Sequence, residues 1–409
     1  MWLLLHPLDT QFYRDGRPFD AGSRSNLAYS VFPPYPRTVY GALRTAILSL
    51  HSPSLNIHAI DPAIQSVIGT PDTLGSLVIR GPLMVTSSED DDDYELLFPR
   101  PRDLLKVKNT KDDYALVSPC PEQDQSTLDR TSDLDIPGIY PCLPETPLVL
   151  EESDRVLLEY VHLEEYLIGS IPERLRQSEE VFCHEPRLGI ALDYASRTSR
   201  PHWLYTSAHV RMSTGSRTRG GLLVDIATGS DGGFLPKSGQ IRVGGEGRVM
   251  AYTTVKGSNW SHMRSAVKKR VIQNGQFKVY LLTPSIFRYA WYPDFLHKVG
   301  SMLQGELPGI PAGVALKVQM VGACVGRSIP IGGFDVSKGR GWPKSMQKAV
   351  PPGSIYFLRL LDWESWDEPT RTKNVELLLE GLFFRPLSDC SDKNGLWKEG
   401  FGIALIGGW

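Results

Sequence analysis

Arginines and glycines recur together at several separate points of the chain. The stretch YRDGRPFDAG, residues 13 to 22, holds two arginines and two glycines directly after a short apolar run, and similar pairs occur in RVGGEGR at 242 to 248 and in GGFDVSKGRGW at 332 to 342. Guanidinium groups bind phosphate oxygens through paired hydrogen bonds, and glycines allow a backbone to approach a ligand closely. These segments therefore predict contacts to a phosphate backbone.

Aromatic side chains accompany the basic segments. Phe19, Trp203, Tyr205 and Trp342 are of the type that stacks on unpaired bases. The same glycines and aromatics also fit a plainer role, in hairpin turns and core packing. GGEGR does not follow a strand and open a helix, and the chain has no Gly-Lys-Ser/Thr phosphate loop, so neither nucleotide-binding fingerprint is present.

The basic residues are concentrated in a few segments. The chain has 409 residues, with 44 Lys and Arg against 46 Asp and Glu, so its net charge alone does not predict a polyanionic partner. Residues 89 to 95 hold six acids, whereas 187 to 220 holds six arginines against one aspartate, and 14 to 44 and 327 to 348 are also basic. These basic segments are expected either to share one surface or to be solvated loops.

The bulk composition favours a cytoplasmic chain of two domains. The opening MWLLLHPLD has no positively charged leader, and no apolar run is long enough to cross a membrane. The five cysteines are scattered without a Cys-x-x-Cys pair, which argues against a disulfide framework and a zinc ribbon. Nine histidines are spread without metal-like spacing, so neither a metal ion nor a cofactor is expected.

The first half of the chain is predicted to begin with a strand, a loop and a helix. Residues 2 to 5 form the apolar run, and in PRTVYGALRTAILSL, residues 36 to 50, the apolar side chains recur at helical spacing. Arg37, Gly41 and Arg44 fall on the opposite face of this helix. Further strands are predicted up to residue 255, and the acidic, proline-bearing stretch from 86 to about 150 is predicted to be a loop or insertion.

The second half is predicted to follow the order β-α-β-β-α-β, which is typical of a ferredoxin-like domain. The helices are predicted in PDFLHKVGSMLQG at 293 to 305 and NVELLLEGL at 374 to 382, and the last strand in GFGIALIGGW at 400 to 409. The predicted fold is α+β, with two tandem ferredoxin-like (βαββαβ) domains and long insertions. The N-terminal domain spans residues 1 to 255, a basic connector 256 to 275, and the C-terminal domain 276 to 409.

The succession of motifs resembles a known family. RDGRPF, FPPYPRTVYGALR, RLGIALDYASRTSRPHWLY, VGGEGR, IGGFDVSKGRGWPKSMQKAVPPGSIYF and the glycine-rich last strand together are similar to the RAMP-superfamily subunit numbered three of the Cmr complex of type III-B CRISPR systems. The resemblance implies a non-catalytic subunit that binds the 5′ repeat-derived tag of a CRISPR RNA. It also implies contacts with the large polymerase-like subunit and with the adjacent backbone RAMP subunit.

The resemblance and the basic segments together define a set of expected RNA-binding residues. The residues expected to contact RNA are Arg14, Arg17, Phe19, Arg37, Arg44, Arg187, Arg197, Arg200, His202, Tyr205, Gly245, Arg248, Lys338, Arg340 and Trp342.

Two other functions remain open from the sequence. A RAMP-type endoribonuclease that processes precursor RNA would use a histidine as general acid or base, and His51, His202 and His209 are the candidates. A pure protein-interaction scaffold would instead direct its basic loops at acidic protein surfaces. Salt dependence separates the last alternative from RNA binding, because neutralising several phosphates makes affinity fall steeply with salt.

Overall fold

The computed structural model describes most of the chain. The described residues are 1–16, 27–52, 60–88, 94–120, 138–153, 155–212 (backbone only at 201–203), 218–229, 233–311, 313–335, 342–387 and 395–409. Among these residues the chain forms five α-helices and 26 strands, several of only two or three residues. The predicted α+β class is confirmed.

The elements follow one another in this order. They are β1 (Trp2–Pro7), β2 (Leu27–Tyr29), α1 (Pro36–His51), α2 (Pro62–Ile68), β3 (Val78–Ser88), β4 (Tyr94–Pro99), β5 (Leu104–Val107), β6 (Tyr114–Pro119), β7 (Cys142–Pro144), β8 (Leu150–Glu151), β9 (Val156–Glu159), α3 (Tyr160–Leu167), β10 (Arg176–Gln177), β11 (Cys183–Leu192), β12 (Ser199–Arg211), β13 (Thr218–Ala227), β14 (Ser238–Arg242), β15 (Val249–Val255), α4 (Ser261–Asn274), β16 (Gln276–Leu281), β17 (Leu296–Val299), β18 (Met302–Glu306), β19 (Lys317–Cys324), β20 (Ile329–Ile331), β21 (Phe334–Asp335), β22 (Trp342–Pro343), β23 (Gln347–Ala349), β24 (Ile355–Leu360), α5 (Glu368–Leu382), β25 (Arg385–Pro386) and β26 (Ile403–Gly408).

The chain divides into two compact units, each built from three segments. Unit 1 comprises Met1–Leu96, Ser178–Gly257 and Pro330–Gln347, and unit 2 comprises Leu97–Gln177, Ser258–Ile329 and Lys348–Trp409. The division expected at residues 255 to 276, and the tandem ferredoxin-like arrangement, both stay predictions.

Unit 1 contains an antiparallel sheet in which β1 is central. The strands run in the order β3-β13-β1-β15-β14, and Leu3 and Leu5 of β1 are fully buried. Helix α1 packs on β3 and β14, and its Val39, Leu43 and Ile47 are buried, as their helical spacing predicts. Each apolar side chain buried here contributes roughly 1.5–3 kcal/mol of transfer free energy, which anchors the helix.

A second, three-stranded sheet of unit 1 forms an extended ribbon. Strands β11 and β12 pair antiparallel from Cys183–Arg211 to Leu192–Ser199, and β2 adds to β12 in parallel. Side chains along β11 alternate between half-buried and exposed. The exposed face includes Leu188, Ile190 and Leu192, so this ribbon presents apolar side chains to solvent.

Unit 2 contains a seven-stranded antiparallel sheet. The order is β17-β18-β19-β24-β16-β26-β25, with α3, α4 and α5 packed against β26. The expected strands in FKVYLLT, VALKVQMVGACVG, GSIYFLRLL and GFGIALIGGW are confirmed as β16, β19, β24 and β26, and the helix expected at 374 to 382 as part of α5. Helix α4 lies in the expected basic connector and ends at Gly275, whose φ of 69° is left-handed.

The helix predicted at 293 to 305 is wrong. This segment forms β17 and β18, which pair antiparallel around Gly300, a residue with φ of 62°. The two fully buried side chains, Leu296 and Leu303, lie seven residues apart, a spacing that suits two helical turns as well as two paired strands. Pairing of β18 with β19 decides between them, because it extends the sheet ladder.

The stretch from 86 to about 150 was predicted to be a loop or insertion, and the prediction of a loop is wrong. Strands β5, β6, β7 and β8 form a four-stranded sheet in the order β7-β6-β5-β8, and β4 precedes it. Short strands interrupted by prolines and acids resemble loops in composition, so their pairing was not evident from the sequence. Among the described residues, no helix has both the length and the apolar content that crossing a membrane requires.

Candidate nucleic-acid interface

An open cleft of about 410 Å³ lies beside α1 in unit 1. Its lining residues are Tyr13, Arg14, Val31, Tyr35, Thr38, Gly41, Ala42, Thr45, Arg242, Gly244 and Gly245. They come from three segments: the chain after β1, the stretch from Val31 into helix α1, and the end of β14 with the hairpin that follows it. We call this site the basic cleft, because the described residues that line it include two arginines and no carboxylate.

Helix α1 supplies one wall of the basic cleft. Thr38, Gly41 and Thr45 recur at helical spacing on the face opposite the buried residues of α1. Gly41 lies inside a 16-residue helix, where glycine is less favourable than alanine by about 1 kcal/mol. A Cβ added there would meet no described atom within 4 Å, so neighbouring atoms do not require this glycine.

The hairpin between β14 and β15 supplies the opposite wall. The Val243 N–H donates to the Arg248 carbonyl (2.9 Å), and the Gly245 N–H donates to the Phe12 carbonyl (2.8 Å). Gly244 has a φ of 83°, and a Cβ there would approach the Phe12 oxygen to 2.5 Å. Glycine is therefore required at this close backbone crossing, which fixes the hairpin and its Arg242 beside the cleft.

A second group of arginines is neutralised by carboxylates. This arginine–carboxylate cluster consists of Asp9, Glu185, Arg187, Arg211, Glu246 and Arg248. Arg187 donates to Glu185 through Nε and Nη2 at 3.0 and 2.9 Å, and Arg211 Nε donates to the other oxygen of Glu185 at 2.7 Å. Arg248 Nη1 donates to Asp9 Oδ2 at 3.0 Å.

The cluster favours the ionised form of two of its acids, Glu185 and Asp9. The hydrogen bonds from Arg211 and Arg187 lower the pKa of Glu185, and the backbone N–H of Thr10, followed by the nearby arginines, lowers the pKa of Asp9. Three guanidinium groups thus face three carboxylates, and little net positive charge is left for a phosphate. Arg248 is only 20% exposed, and its bond to Asp9 braces the hairpin that carries Arg242.

The two expected arginines of α1 make contacts within unit 1. Arg37 Nη1 donates to the Gly332 carbonyl at 3.1 Å, and Tyr35 OH donates to the Pro330 carbonyl at 3.2 Å. Arg44 Nη2 donates to the Thr70 carbonyl at 2.8 Å. The helix thereby holds the segment that leads into the GGFDVSKGRGW motif. Unit 1 contains three of the basic motifs, YRDGRPFDAG, RVGGEGR and GGFDVSKGRGW.

Other expected residues lie on the ribbon or near it. Arg197 occupies the turn between β11 and β12 with φ of 54°, and Arg200 is exposed in β12. Tyr205 is half-buried, and its ring covers Gly189 on the paired strand, where a Cβ would come within 2.3 Å of the ring. Trp342 in β22 is 64% exposed, which suits a base-stacking side chain.

The remaining expected residues are outside the described part of the chain. Arg17, Phe19, Lys338 and Arg340 lie in segments that the structure does not describe, as does the side chain of His202.

Sequence reasoning missed Arg242 and the acids of the cluster. Arg242 stood in the RVGGEGR motif, and its position between buried Ile241 and Val243 was the available signal that it faces outward. Asp9 gave no such signal, because its partner Arg248 lies 239 residues away. Phe334, which is 59% exposed and pairs with Pro343 in the β21–β22 ladder, was also missed.

The candidate histidines differ in environment. His209 is 1% exposed, stacks on Phe12 with ring centroids 5.0 Å apart, and has a pKa lowered by burial. His51 is exposed, with its Nε2 3.4 Å from the Phe234 carbonyl. Within the described ranges, no group of three or more histidine, cysteine or acidic side chains is arranged to hold a metal ion.

Several solved structures contain chains that are similar to this one over most of its length. The chain is similar to subunits in "Cryo-EM structure of the Type III-B Cmr-beta bound to cognate target RNA and AMPPnP, state 1" (17% identity, 87% of this chain and 86% of that chain, TM-score 0.44) and in "Cryo-EM structure of the Type III-B Cmr-beta bound to cognate target RNA" (18%, 87% and 86%, 0.42). The chain is also similar to a chain of "Crystal structure of Csm3-Csm4 subcomplex in the type III-A CRISPR-Cas interference complex" (9% identity, 87% of this chain and 91% of that chain, TM-score 0.30).

The family is decided by sequence. Residues 3–409 match the family model described as CRISPR-associated protein (Cas_Cmr3). The chain therefore belongs to the Cas_Cmr3 family, a family of type III-B Cmr complex subunits, and the expected resemblance is confirmed. A search of the curated proteins finds no match.

Proposed function

We propose that this chain is a non-catalytic, RNA-binding subunit of a cytoplasmic type III-B Cmr complex in antiviral defence. It grips the 5′ repeat-derived tag of a CRISPR RNA and seats the large polymerase-like subunit beside the adjacent backbone subunit. The observation that carries the RNA-binding part is the basic cleft, which brings Arg14 and Arg242 together with Gly41, Gly244 and Gly245.

The basic cleft suits the backbone of a single strand. Gly41, Gly244 and Gly245 keep its walls low, so a sugar-phosphate chain can approach the protein backbone. Arg14 and Arg242 then supply charge-assisted bonds to phosphate oxygens. The cluster around Asp9 has a different role in this proposal, which is to hold the hairpin that carries Arg242.

Salt dependence of RNA affinity tests this site. For single-stranded nucleic acid, the slope of log K against log salt is about −0.7 for each phosphate contacted. Two contacts contribute a slope of about −1.4, so raising salt from roughly 50 to 200 mM should weaken wild-type binding about sevenfold more than binding by the Arg14→Glu/Arg242→Glu variant. Fluorescence anisotropy with a labelled tag RNA measures both slopes.

A matched control carries the same type of charge change elsewhere in unit 1. Lys237 is exposed and is not among the residues that line the cleft. Lys237→Glu should leave the salt slope as in the wild type. Equal slopes in all three proteins would remove the basic cleft from the RNA site, and flat salt dependence of the wild type would favour the scaffold function.

The docking part of the proposal is supported by the ribbon. Leu188 is 72% exposed, and Ile190, Leu192 and Leu204 are each about half exposed on the same β11–β12 pair. Exposed apolar side chains on one ribbon are typical of a protein contact. Leu188→Ser/Ile190→Ser should reduce copurification of the large subunit while leaving RNA affinity unchanged, and unchanged copurification would place that contact elsewhere.

The nuclease alternative has a direct test. Burial of His209 keeps its ring away from solvent, and His51 is the exposed candidate. We expect precursor RNA to remain intact after incubation with the purified chain. Fragments that disappear with His51→Ala would overturn the non-catalytic assignment.

A further inference from the structure

A partly enclosed cavity of about 360 Å³ lies within unit 2. Its lining is mostly apolar and aromatic and also includes charged groups. The lining residues used below are Asp103, Tyr114, Glu145, Arg270, Lys278, Phe357 and Trp409. All of them belong to unit 2, and none takes part in the proposed RNA site.

The floor of the cavity holds a buried ion pair. Lys278 and Asp103 are each 1% exposed, and Lys278 Nζ donates to Asp103 Oδ2 at 3.0 Å. Tyr166 OH donates to the other oxygen of Asp103 at 2.7 Å, and Lys278 Nζ lies 3.6 Å from the centroid of the Tyr166 ring. An ammonium has three N–H donors. The carboxylate of Asp103 accepts one, and the cavity gives Lys278 room for a further acceptor.

A second cation reaches the same cavity from α4. Arg270 Nη1 donates to Gln273 Oε1 at 3.0 Å, but its Nε is buried without a hydrogen-bond partner among the described residues. A buried donor of this kind costs about 1–3 kcal/mol when it stays unsatisfied. A ligand oxygen beside Arg270 would satisfy it.

The glycines of the last strand make room for both cations. A Cβ at Gly408 would come within 2.2 Å of Arg270 Cγ, and one at Gly407 within 3.2 Å of Lys278 Cε. The GGW ending, which the RNA site does not use, therefore lets two cationic side chains cross β26. Trp409 follows directly, and its ring packs edge-on against Phe357 with centroids 5.2 Å apart.

We propose that this cavity binds a small molecule with one carboxylate and a flat aromatic body. Four charged residues of the described chain line the cavity. Lys278 and Asp103 cancel in charge, and Glu145 is exposed to solvent, so Arg270 is the cation left to bind an anion, which matches a singly charged anion better than a phosphate dianion. Tyr114, Phe357 and Trp409 supply the aromatic surface. The volume is within the range of small-ligand sites.

Indole-3-acetate is the probe, with indole and tryptamine as its uncharged and cationic counterparts and inorganic phosphate as the dianion. Titration calorimetry of the full chain should show saturable binding of indole-3-acetate, with at least tenfold weaker binding of each other compound. Arg270→Gln should weaken indole-3-acetate at least tenfold, because a charge-assisted bond is lost.

The controls separate the site from general charge attraction and from misfolding. Lys269 is exposed on the same helix and is not among the cavity residues, so Lys269→Gln should bind the probe like the wild type. Thermal melting shows whether Arg270→Gln is folded. The test does not depend on Lys278→Met, which removes half of a buried ion pair and can fail to fold. No saturable binding at 5 mM probe, or equal losses in Arg270→Gln and Lys269→Gln, would overturn the proposal.

Discussion

Gly41 makes it possible to separate a structural role of α1 from a role in RNA binding. The residue is exposed inside the helix, and a Cβ there would meet no described atom within 4 Å. Gly41→Ala should therefore raise the free energy of unfolding by about 1 kcal/mol, since alanine is the better helix former. For a cooperative unit of roughly 200 residues, the midpoint of thermal unfolding should rise by about 2–4 °C.

A longer side chain at Gly41 should have opposite effects on stability and on binding. Glutamine is also a better helix former than glycine, so Gly41→Gln should be at least as stable as the wild type. Its side chain would enter the basic cleft, however, and displacing one phosphate contact worth about 1.4 kcal/mol weakens RNA tenfold. Calorimetric melting and fluorescence anisotropy on the same preparations measure the two effects.

Ser49→Gln is the matched control. Ser49 is exposed on the same helix and is not one of the residues that line the cleft, so this variant should bind RNA like the wild type. The reasoning is refuted if Gly41→Gln binds RNA as tightly as the wild type does. It is refuted equally if Gly41→Ala lowers stability, because the helix would then need glycine for its own packing.

Three further outcomes are expected. Asp103→Asn should lower the free energy of unfolding in a denaturant titration by about 3–5 kcal/mol, because it leaves the Lys278 ammonium buried without its counter-ion, whereas Asp103→Leu/Lys278→Met should recover most of that loss. Burial lowers the pKa of His209 in the folded chain below its unfolded value of 6.5, so the unfolded chain binds more protons as pH falls through that value. The midpoint of thermal unfolding should therefore be lower at pH 5.5 than at pH 7.5. The decrease should be smaller in His209→Gln. The hydrogen bond with Cys142, followed by burial, raises the pKa of Cys324, so mass spectrometry after iodoacetamide treatment at pH 8 should show slower alkylation of Cys324 than of Cys183, and equal rates would contradict this.

Much of the element order could be predicted from local patterns. The helical spacing of apolar residues predicted α1 and part of α5, and runs of apolar residues predicted β1, β16, β24 and β26. These elements bury most of their apolar side chains, so the periodicity of apolar residues in the sequence matches the pattern of burial in the structure. The succession of glycine and arginine motifs over the whole chain likewise indicated the family, which the match over residues 3–409 confirms.

Local patterns failed where pairing with distant strands decided the structure. The segment 293 to 305 has helical spacing, yet β18 pairs with β19, and this ladder outweighs local preference. Strands β5 to β8 are short and polar enough to resemble loops, and only their mutual pairing makes them a sheet. Contacts between residues far apart in sequence leave no local signal.

The amino-acid sequence by itself determined the family and the α+β class, because residue types and periodicity are properties of the chain. The tertiary structure alone decided which arginines pair with carboxylates in the arginine–carboxylate cluster and which line the basic cleft. Arg248 binds Asp9 across 239 residues, whereas Arg14 and Arg242, which are 228 residues apart, line the same cleft beside α1. A charge is available or cancelled according to its neighbours in space, and folding sets those neighbours.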